Sequence, residues 1–121
     1  MQNYRFDILS LFPKVFEDFL ESGVIGRAIS SNIAELNIHN PRDFTNDNYR
    51  KVDDQPYGGG AGMVLKPEPI FSAFENIRLR KNKRVLLMTP QGKRLCQDDL
   101  NRWANHYPQL IIICGNYEGF D

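Results

Sequence analysis

The sequence contains little cysteine, no excess charge and no long apolar run, and each absence excludes a class of protein. Its two cysteines, Cys96 and Cys114, have neither the Cys-x-x-Cys spacing nor that of a zinc site, so we expect reduced thiols and no bound metal. The apolar runs at residues 85–88 and 110–114 are far shorter than a membrane-spanning helix. The run at residues 8–12 is too short for the apolar core of a signal peptide. We therefore expect a soluble, cytoplasmic protein that does not bind a membrane.

Charge gives no general sign of nucleic-acid binding. Fifteen basic residues balance fifteen acidic ones, so RNA binding would have to depend on a local patch. One basic cluster is present at residues 78–84. We interpret it as a solvated helix end, where cations stabilise the helix dipole; a phosphate-binding site is the alternative. Its members are Arg78, Arg80, Lys81, Lys83 and Arg84.

The spacing of apolar residues predicts strands and helices that alternate along the chain. Such alternation is typical of an α/β domain with a largely parallel sheet and flanking helices. A chain of 121 residues has the length of one domain, so residues 1–121 are interpreted as a single domain. Strands are predicted at residues 4–12, 34–39, 85–88 and 110–114, and helices at residues 15–20, 24–29, 70–77 and 100–107.

The same patterns predict the surroundings of individual side chains. The wholly apolar strands at residues 85–88 and 110–114 are expected to be covered on both faces. The helix after Pro67 and Pro69 is expected to bury one side. That side comprises Ile70, Phe71, Phe74 and Ile77. His39 is interpreted as a residue on the polar face of its strand, with a ligand role as the alternative, and Trp103 as part of the core, with a stacking platform as the alternative.

Two loops follow the apolar strands, at residues 88–92 and 115–121. Ligands of open α/β sheets bind beyond the carboxyl ends of the strands, so these loops are candidates for a binding site. Gly115 would let a ligand ring approach the backbone closely. The alternative is that Gly92, Gly115 and Gly119 only shape turns.

A glycine-rich segment at residues 52–63 is the third candidate. It lacks the last glycine of a dinucleotide fingerprint, because Met63 stands there, and no Gly-Lys-Ser/Thr follows as a P-loop requires. It belongs to a long polar connection, residues 40–62, of a length that is usually functional. Asp53 and Asp54 could act as a base or as hydrogen-bond acceptors; an ordinary exposed loop is the alternative.

These segments occur together, in this order, in one known family. From about Phe6 onward, the chain resembles the bacterial tRNA (guanine-N1)-methyltransferases of the knotted SPOUT class. The ordered set is far more specific than any single segment. The matching residues are Ser10-Leu11-Phe12-Pro13, Gly26-Arg27-Ala28, Asn40-Pro41-Arg42-Asp43-Phe44, Val52-Asp53-Asp54, Pro56-Tyr57-Gly58-Gly59-Gly60, Gly62-Met63, Pro90-Gln91-Gly92, Cys114-Gly115 and Tyr117-Glu118-Gly119.

The resemblance implies a homodimer with a trefoil knot, a rare exception to unknotted topology. It implies methylation of the guanosine at position 37 of tRNA, with S-adenosylmethionine as the cofactor. The cofactor would contact Leu87, Met88, Pro90, Gly115 and the knot-loop residues Tyr117, Glu118 and Gly119. Asp53, Gly58, Gly59 and Gly60 would face the tRNA. Asn116 replaces the basic residue usual in the family.

The resemblance also implies that the main catalytic base, an aspartate, lies downstream of the residues present here. Glu118 is the accessory catalytic candidate. Because the chain stops at Asp121, directly after a buried strand, we expect a fragment that is incomplete at its C-terminus, lacks the knot-threading segment and is inactive alone. A non-catalytic α/β module that binds nucleotide or RNA is the main alternative. A nucleotide-cofactor oxidoreductase is disfavoured by the missing glycine fingerprint.

Overall fold

The computed structural model of the chain describes residues 3–44, 53–54, 64–65, 67–89 and 91–114. Six strands, four α-helices and two short 3₁₀ helices lie in these ranges. In chain order they are β1 (Tyr4–Leu9), the first 3₁₀ helix (Pro13–Phe16), α1 (Glu17–Glu21), α2 (Gly23–Ser30), β2 (Ala34–His39), the second 3₁₀ helix (Pro41–Phe44), β3 (Asp53–Asp54), β4 (Val64–Leu65), α3 (Pro67–Glu75), β5 (Lys83–Met88), α4 (Gln97–His106) and β6 (Gln109–Cys114).

Four strands form one sheet in the order β2-β1-β6-β5, and each neighbouring pair is parallel. This confirms the predicted α/β class with a largely parallel sheet. β2 has the predicted bounds, whereas β1 ends three residues earlier than expected. The Ser10 hydroxyl accepts a hydrogen bond from the Phe12 backbone N–H at 3.1 Å, and the chain turns there toward Pro13. β3 and β4 form a separate antiparallel pair.

Helices cover both faces of the sheet. On one face, Leu9 and Ile111 pack with Ile70 and Ala73 of α3 in the main core. Successive strand residues point to opposite faces, so Tyr4, Phe6 and Ile8 line the other face. There they lie beside α1 and α2, and Tyr4 and Phe6 also border Leu100 and Trp103 of α4. Trp103 is buried, which confirms its predicted place in the core.

The buried side of α3 differs from the prediction in two residues. Ile70 is buried and Phe74 packs against the core, as expected. Ile77 is also buried, but it lies after the end of α3 at Glu75. Phe71 was wrongly assigned to this side, because its side chain is 64% exposed. Ala73 is fully buried instead. A small residue at the centre of this side permits close packing of α3 against the sheet.

The expectation that β5 is covered on both faces is wrong within the described residues. β5 is an edge strand paired only with β6 in the sheet, and Val85, Leu87 and Met88 are about half exposed. β6 lies between β1 and β5, and it buries Ile111 and Ile113. A wholly apolar run therefore indicated a central strand in one case and an edge strand in the other.

Two glycines shape the passage from α1 to α2 for different reasons. Gly23 has φ +66°, a left-handed conformation that side chains rarely adopt. Gly26 lies so close to α1 that an added Cβ would be 2.7 Å from the carbonyl carbon of Glu21. Gly26 is thus required for the close approach of the two helices, which gives a packing reason for the Gly26-Arg27-Ala28 motif.

Candidate functional site

The carboxyl ends of β5 and β6 lie side by side. Met88 is the register partner of Cys114, and Leu87 is that of Ile113. Because the two strands are parallel, the chain leaves both of them at the same edge of the sheet. The loops at residues 88–92 and 115–121 therefore start next to each other, as a shared binding site requires.

Two of the predicted cofactor contacts can be placed at this edge. Leu87 is 50% exposed and Met88 is 51% exposed, so both offer apolar surface to a ligand. Their side chains point to opposite faces of the sheet, since they are neighbours in one strand. The other cofactor candidates lie outside the described residues: Pro90, Gly115, Tyr117, Glu118 and Gly119.

Gly92 lies in the turn that follows β5. The Thr89 hydroxyl accepts a hydrogen bond from the Gln91 backbone N–H at 3.3 Å, and the Thr89 carbonyl accepts one from the Gly92 N–H at 3.2 Å. A Cβ on Gly92 would lie 3.3 Å from the Thr89 methyl carbon, which is a tight contact. Gly92 therefore lies in the turn after β5, where a larger residue would be crowded by Thr89.

Cys114 contributes no obvious nucleophile to this edge. Its side chain is half-buried, and burial raises the pKa of the thiol. The thiol therefore stays protonated at neutral pH, and the thiolate is the reactive form of cysteine. Cys114 acts as a small apolar group beside Met88.

The buried carboxylate of Asp7 was not predicted from the sequence as a structural centre. It is completely buried in β1 and accepts hydrogen bonds from Arg5 Nε at 3.1 Å and Gln109 Nε2 at 2.8 Å. His39 Nε2 lies 2.9 Å from its other carboxylate oxygen. Burial by itself raises the pKa of Asp7, but the hydrogen bonds from His39, Gln109 and Arg5 outweigh it, and the net pKa is lowered. Asp7 is therefore ionised at neutral pH.

His39 has a more specific role than the sequence predicted. It is half-buried and bonded to Asp7, not simply a residue of a polar face. It is also the last residue of β2, and its carbonyl accepts a hydrogen bond from the Ser10 N–H at 2.9 Å. Both contacts fix the end of β2 against β1. A sequence signal existed, because aspartate is depleted in strands and Asp7 stands in the middle of one.

The segment after His39 leads toward the predicted tRNA-facing residues. Asn40 begins the second 3₁₀ helix, since its side-chain oxygen accepts a hydrogen bond from the Arg42 N–H and its carbonyl accepts one from the Asp43 N–H, both at 3.0 Å. This short helix packs against α3. The interval predicted as a long connection, residues 40–62, thus contains a 3₁₀ helix and the strand β3.

Asp53 is the described member of the tRNA-facing set. It lies in β3, where its backbone is paired with that of Leu65 in β4. Gly58, Gly59 and Gly60 belong to the stretch that connects these two strands, and they lie outside the described residues. The pairing of β3 with β4 brings the two ends of the glycine-rich stretch together.

The described part of the chain contains neither a metal-binding cluster nor a membrane-spanning helix. In residues 3–44, 53–54, 64–65, 67–89 and 91–114, no three His, Cys, Asp or Glu side chains form a group that could hold a metal ion. No helix within these ranges has the length and apolar character needed to cross a bilayer.

Comparison with known proteins places this arrangement in a family. Residues 4–121 match the family model described as tRNA (Guanine-1)-methyltransferase TrmD. The chain belongs to this family. The match includes the edge at Met88 and Cys114 and the segment that carries Asp53, so the resemblance inferred from the separate motifs is confirmed over nearly the whole chain.

Curated relatives carry the same description. The chain is 63% identical over 121 residues to a tRNA (guanine-N(1)-)-methyltransferase from Synechococcus sp. (strain RCC307), covering all of this chain and 51% of the relative. It is 53% identical over 117 residues to one from Trichormus variabilis, covering 97% of this chain and 48% of that protein. The chain therefore spans about half the length of the curated relatives it matches.

A solved structure agrees with the fold. The chain superposes on the crystal structure of the tRNA (m1G37) methyltransferase from Aquifex aeolicus with a TM-score of 0.86 and 36% sequence identity. The superposition covers 98% of this chain and 54% of that one. The four-stranded parallel sheet with flanking helices is thus the fold of the corresponding part of that enzyme.

Proposed function

We propose that the protein containing this chain transfers a methyl group from S-adenosylmethionine to N1 of the guanine at position 37 of tRNA. The observation that carries the proposal is the family match over residues 4–121. The placement of Met88 beside Cys114 supports it, because two loops of the matched segment start there together. We assign this activity to the complete gene product because the 121 residues of this chain belong to the family.

The carboxyl ends of β5 and β6 carry Leu87 on one face of the sheet and Met88 beside Cys114 on the other, and they offer apolar surface to the adenosine part of such a cofactor. Leu87 and Met88 are exposed and apolar, and the neighbouring thiol is uncharged because burial raises its pKa. An aromatic base is bound well by surfaces of this kind, with a few polar groups to orient it. Pro90, Gly115, Tyr117, Glu118 and Gly119 complete the proposed pocket, and the bound cofactor supplies a methyl group on a positively charged sulfur.

The tRNA side of the site is assigned to Asp53 and the glycines Gly58, Gly59 and Gly60. Guanine N1 carries a proton, so the reaction needs a group that accepts it as the new N–C bond forms. Glu118 is the accessory candidate for proton transfer, and the main base of the family pattern lies beyond residue 121. Holding N1 in line with the donor is mainly a task of orientation, which suits a segment fixed at His39 and Asn40.

The proposal includes a homodimer in the cytoplasm, where bacterial tRNA is found. An apolar groove of about 490 Å³ between β1, β2 and the α1–α2 pair supports an association with a second copy. Phe19, Val24 and Ile25 line it; Val24 is strongly exposed and the other two are about half exposed. Light scattering on the complete gene product should give twice the mass of one chain, and a stable monomer would contradict the dimer.

A methyl-transfer assay tests the activity. The complete gene product is incubated with methyl-labelled S-adenosylmethionine and an unmodified tRNA transcript, and the digested RNA is analysed for 1-methylguanosine. We expect one label per tRNA, and no label on a transcript in which adenine replaces the guanine at position 37. Tight binding of cofactor and tRNA without transfer would favour the non-catalytic module, and label on another base would refute the assignment.

A further inference from the structure

A basic segment, residues 78–83, lies at the amino end of β5, whereas the proposed cofactor pocket lies at the carboxyl end of the same strand. β5 begins at Lys83 and ends at Met88, and six extended residues span about 17 Å. The basic segment is thus separated from the pocket by about the length of one strand. The sequence interpretation as a helix end is wrong, because α3 ends at Glu75 and residues 78–82 are irregular.

The segment is held firmly against the sheet. Gln109 is fully buried. Its side-chain nitrogen donates to the Arg78 carbonyl at 3.1 Å, and its side-chain oxygen accepts from the Arg80 N–H at 2.8 Å. The Arg80 guanidinium donates to the Pro108 carbonyl at 2.8 Å and also to Asn3. The backbone around residues 78–80 is therefore fixed before any partner binds.

Two of the five cations in the cluster are used within the fold. Arg80 makes the hydrogen bonds just described, and the Arg84 guanidinium lies 5.1 Å from the centre of the Trp103 ring and 5.9 Å from that of Tyr107. Such cation–π contacts stabilise the fold. Neither residue is free to recognise a partner without loss of these contacts.

The other three cations, Arg78, Lys81 and Lys83, have no carboxylate partner among the described residues. Elsewhere in the described ranges, cations such as Arg5 and Arg102 form ion pairs with Asp7 and Asp99, whereas the Lys83 ammonium donates to the Arg80 carbonyl at 3.4 Å. Arg78 and Lys81 are exposed. In a chain with no net charge, these three residues form a local, uncompensated positive surface.

We propose that Arg78, Lys81 and Lys83 bind phosphates of the tRNA backbone, as a contact surface separate from the site of methyl transfer. This inference rests on the proposed function. A polyanion gains affinity from such a surface by releasing counterions. A fixed backbone lowers the entropic cost of binding, and tRNA is large enough to reach both ends of β5. Contacts to phosphates position an RNA without reading its sequence.

The test compares three variants of the complete gene product. The first is Arg78→Gln with Lys81→Gln and Lys83→Gln. The second keeps the charge, as Arg78→Lys with Lys81→Arg and Lys83→Arg. The third adds Glu17→Gln, Asp18→Asn and Glu21→Gln on α1 to the first, which restores the original net charge at positions far from the basic segment in sequence. Circular dichroism and thermal unfolding check that each variant is folded.

We expect the first and third variants to bind tRNA roughly tenfold more weakly at moderate salt. The slope of log K against log salt should fall by about 2, since each phosphate contact contributes about 0.7 to 0.9. The affinity for S-adenosylmethionine and kcat at saturating tRNA should be unchanged, and the second variant should behave as the original protein.

Filter binding of tRNA separates this inference from the proposed function, because it does not require methyl transfer. An unchanged tRNA affinity and salt slope in the first variant would overturn the inference, even where methylation is observed. Recovery of affinity in the third variant would also overturn it, since net charge alone would then explain the effect. Loss of binding to anionic phospholipid vesicles with unchanged tRNA binding would assign the surface to a membrane instead.

Discussion

The imidazole Nε2 of His39 lies 2.9 Å from Oδ1 of Asp7, and this contact joins the end of β2 to the middle of β1. The carboxylate is completely buried, and Arg5 and Gln109 bind its second oxygen. Side chains from three strands, β1, β2 and β6, thus contact one charged carboxylate. The residue after His39 begins the segment that leads to Asp53, so the same contact fixes where that segment leaves the sheet.

Asp7 should stabilise the fold in a pH-dependent way. Folding lowers the pKa of Asp7 below its ordinary value of 3.8. Its contribution to the free energy of unfolding is therefore present in full above the unfolded pKa, and it is lost as the pH falls through the folded pKa. Asp7→Ala should cost ~3 kcal/mol at neutral pH, because it leaves the buried donors unpaired. Thermal unfolding between pH 7 and pH 2 measures this. Asp18→Asn, at an exposed position, is the control, and an equal loss in both variants would contradict the role of Asp7.

Gly26 and Gly23 should respond differently to alanine. Gly26→Ala places a Cβ 2.7 Å from backbone of Glu21, so α1 and α2 must separate, at a cost of about 1–3 kcal/mol. Gly23 has open space around it but a φ of +66°, so Gly23→Ala should cost about 1 kcal/mol through backbone strain. Gly23→Asn should recover part of that loss, since asparagine tolerates this conformation. Urea denaturation distinguishes the two causes; recovery by asparagine at position 26 would contradict the packing explanation.

Leu87 and Val85 provide a matched test of the proposed cofactor edge. Both point to the same face of β5, and they are 50% and 45% exposed. Leu87→Gln should weaken S-adenosylmethionine binding about tenfold, because it places a polar group against the adenosine, whereas Val85→Gln should leave it unchanged. Calorimetry on the complete gene product measures both affinities. Equal effects of the two substitutions would place the pocket elsewhere.

Gly115 is the second test of the same pocket. If the cofactor contacts the backbone there, Gly115→Val should weaken cofactor binding by one to two orders of magnitude without changing the thermal unfolding temperature. Gly92→Ala serves as a comparison, since Gly92 shapes the turn after Thr89 and should mainly lower stability. An unchanged cofactor affinity in a folded Gly115→Val protein would refute the assignment.

Asp53 should affect turnover more than cofactor binding, because it is assigned to the tRNA side of the site. Asp53→Ala should reduce kcat/KM for tRNA by at least tenfold, while the dissociation constant for S-adenosylmethionine stays constant. Asp54→Ala, the neighbouring residue of β3, is the matched control and should have a smaller effect. A loss of cofactor affinity on substitution of Asp53 would show that it lies on the other side of the pocket.

Local patterns in the sequence were sufficient for the four strands of the main sheet, for the helices beside it and for the family, but they did not predict β3, β4 or the two 3₁₀ helices. Apolar alternation over residues 34–39 predicted β2 with its observed bounds, because strand periodicity is set by the backbone and does not depend on neighbours. The spaced motifs from Ser10 to Gly119 identified the family, and the match over residues 4–121 confirms it. The proposed binding edge followed from strand direction alone, since the parallel strands β5 and β6 end side by side.

The partners of each side chain were decided only by the tertiary structure. Residues 85–88 and 110–114 are equally apolar, but only β6 is central, because strand order depends on contacts between segments distant in sequence. Asp7, His39 and Gln109 are separated by up to 102 residues and meet through the order β2-β1-β6. Arg80 and Arg84 look alike in the sequence, yet one bonds backbone carbonyls and the other lies over Trp103. Sequence spacing predicts the direction in which a side chain points from its own strand or helix. Its burial and its bonding partners depend on which residues of other strands and helices pack against it.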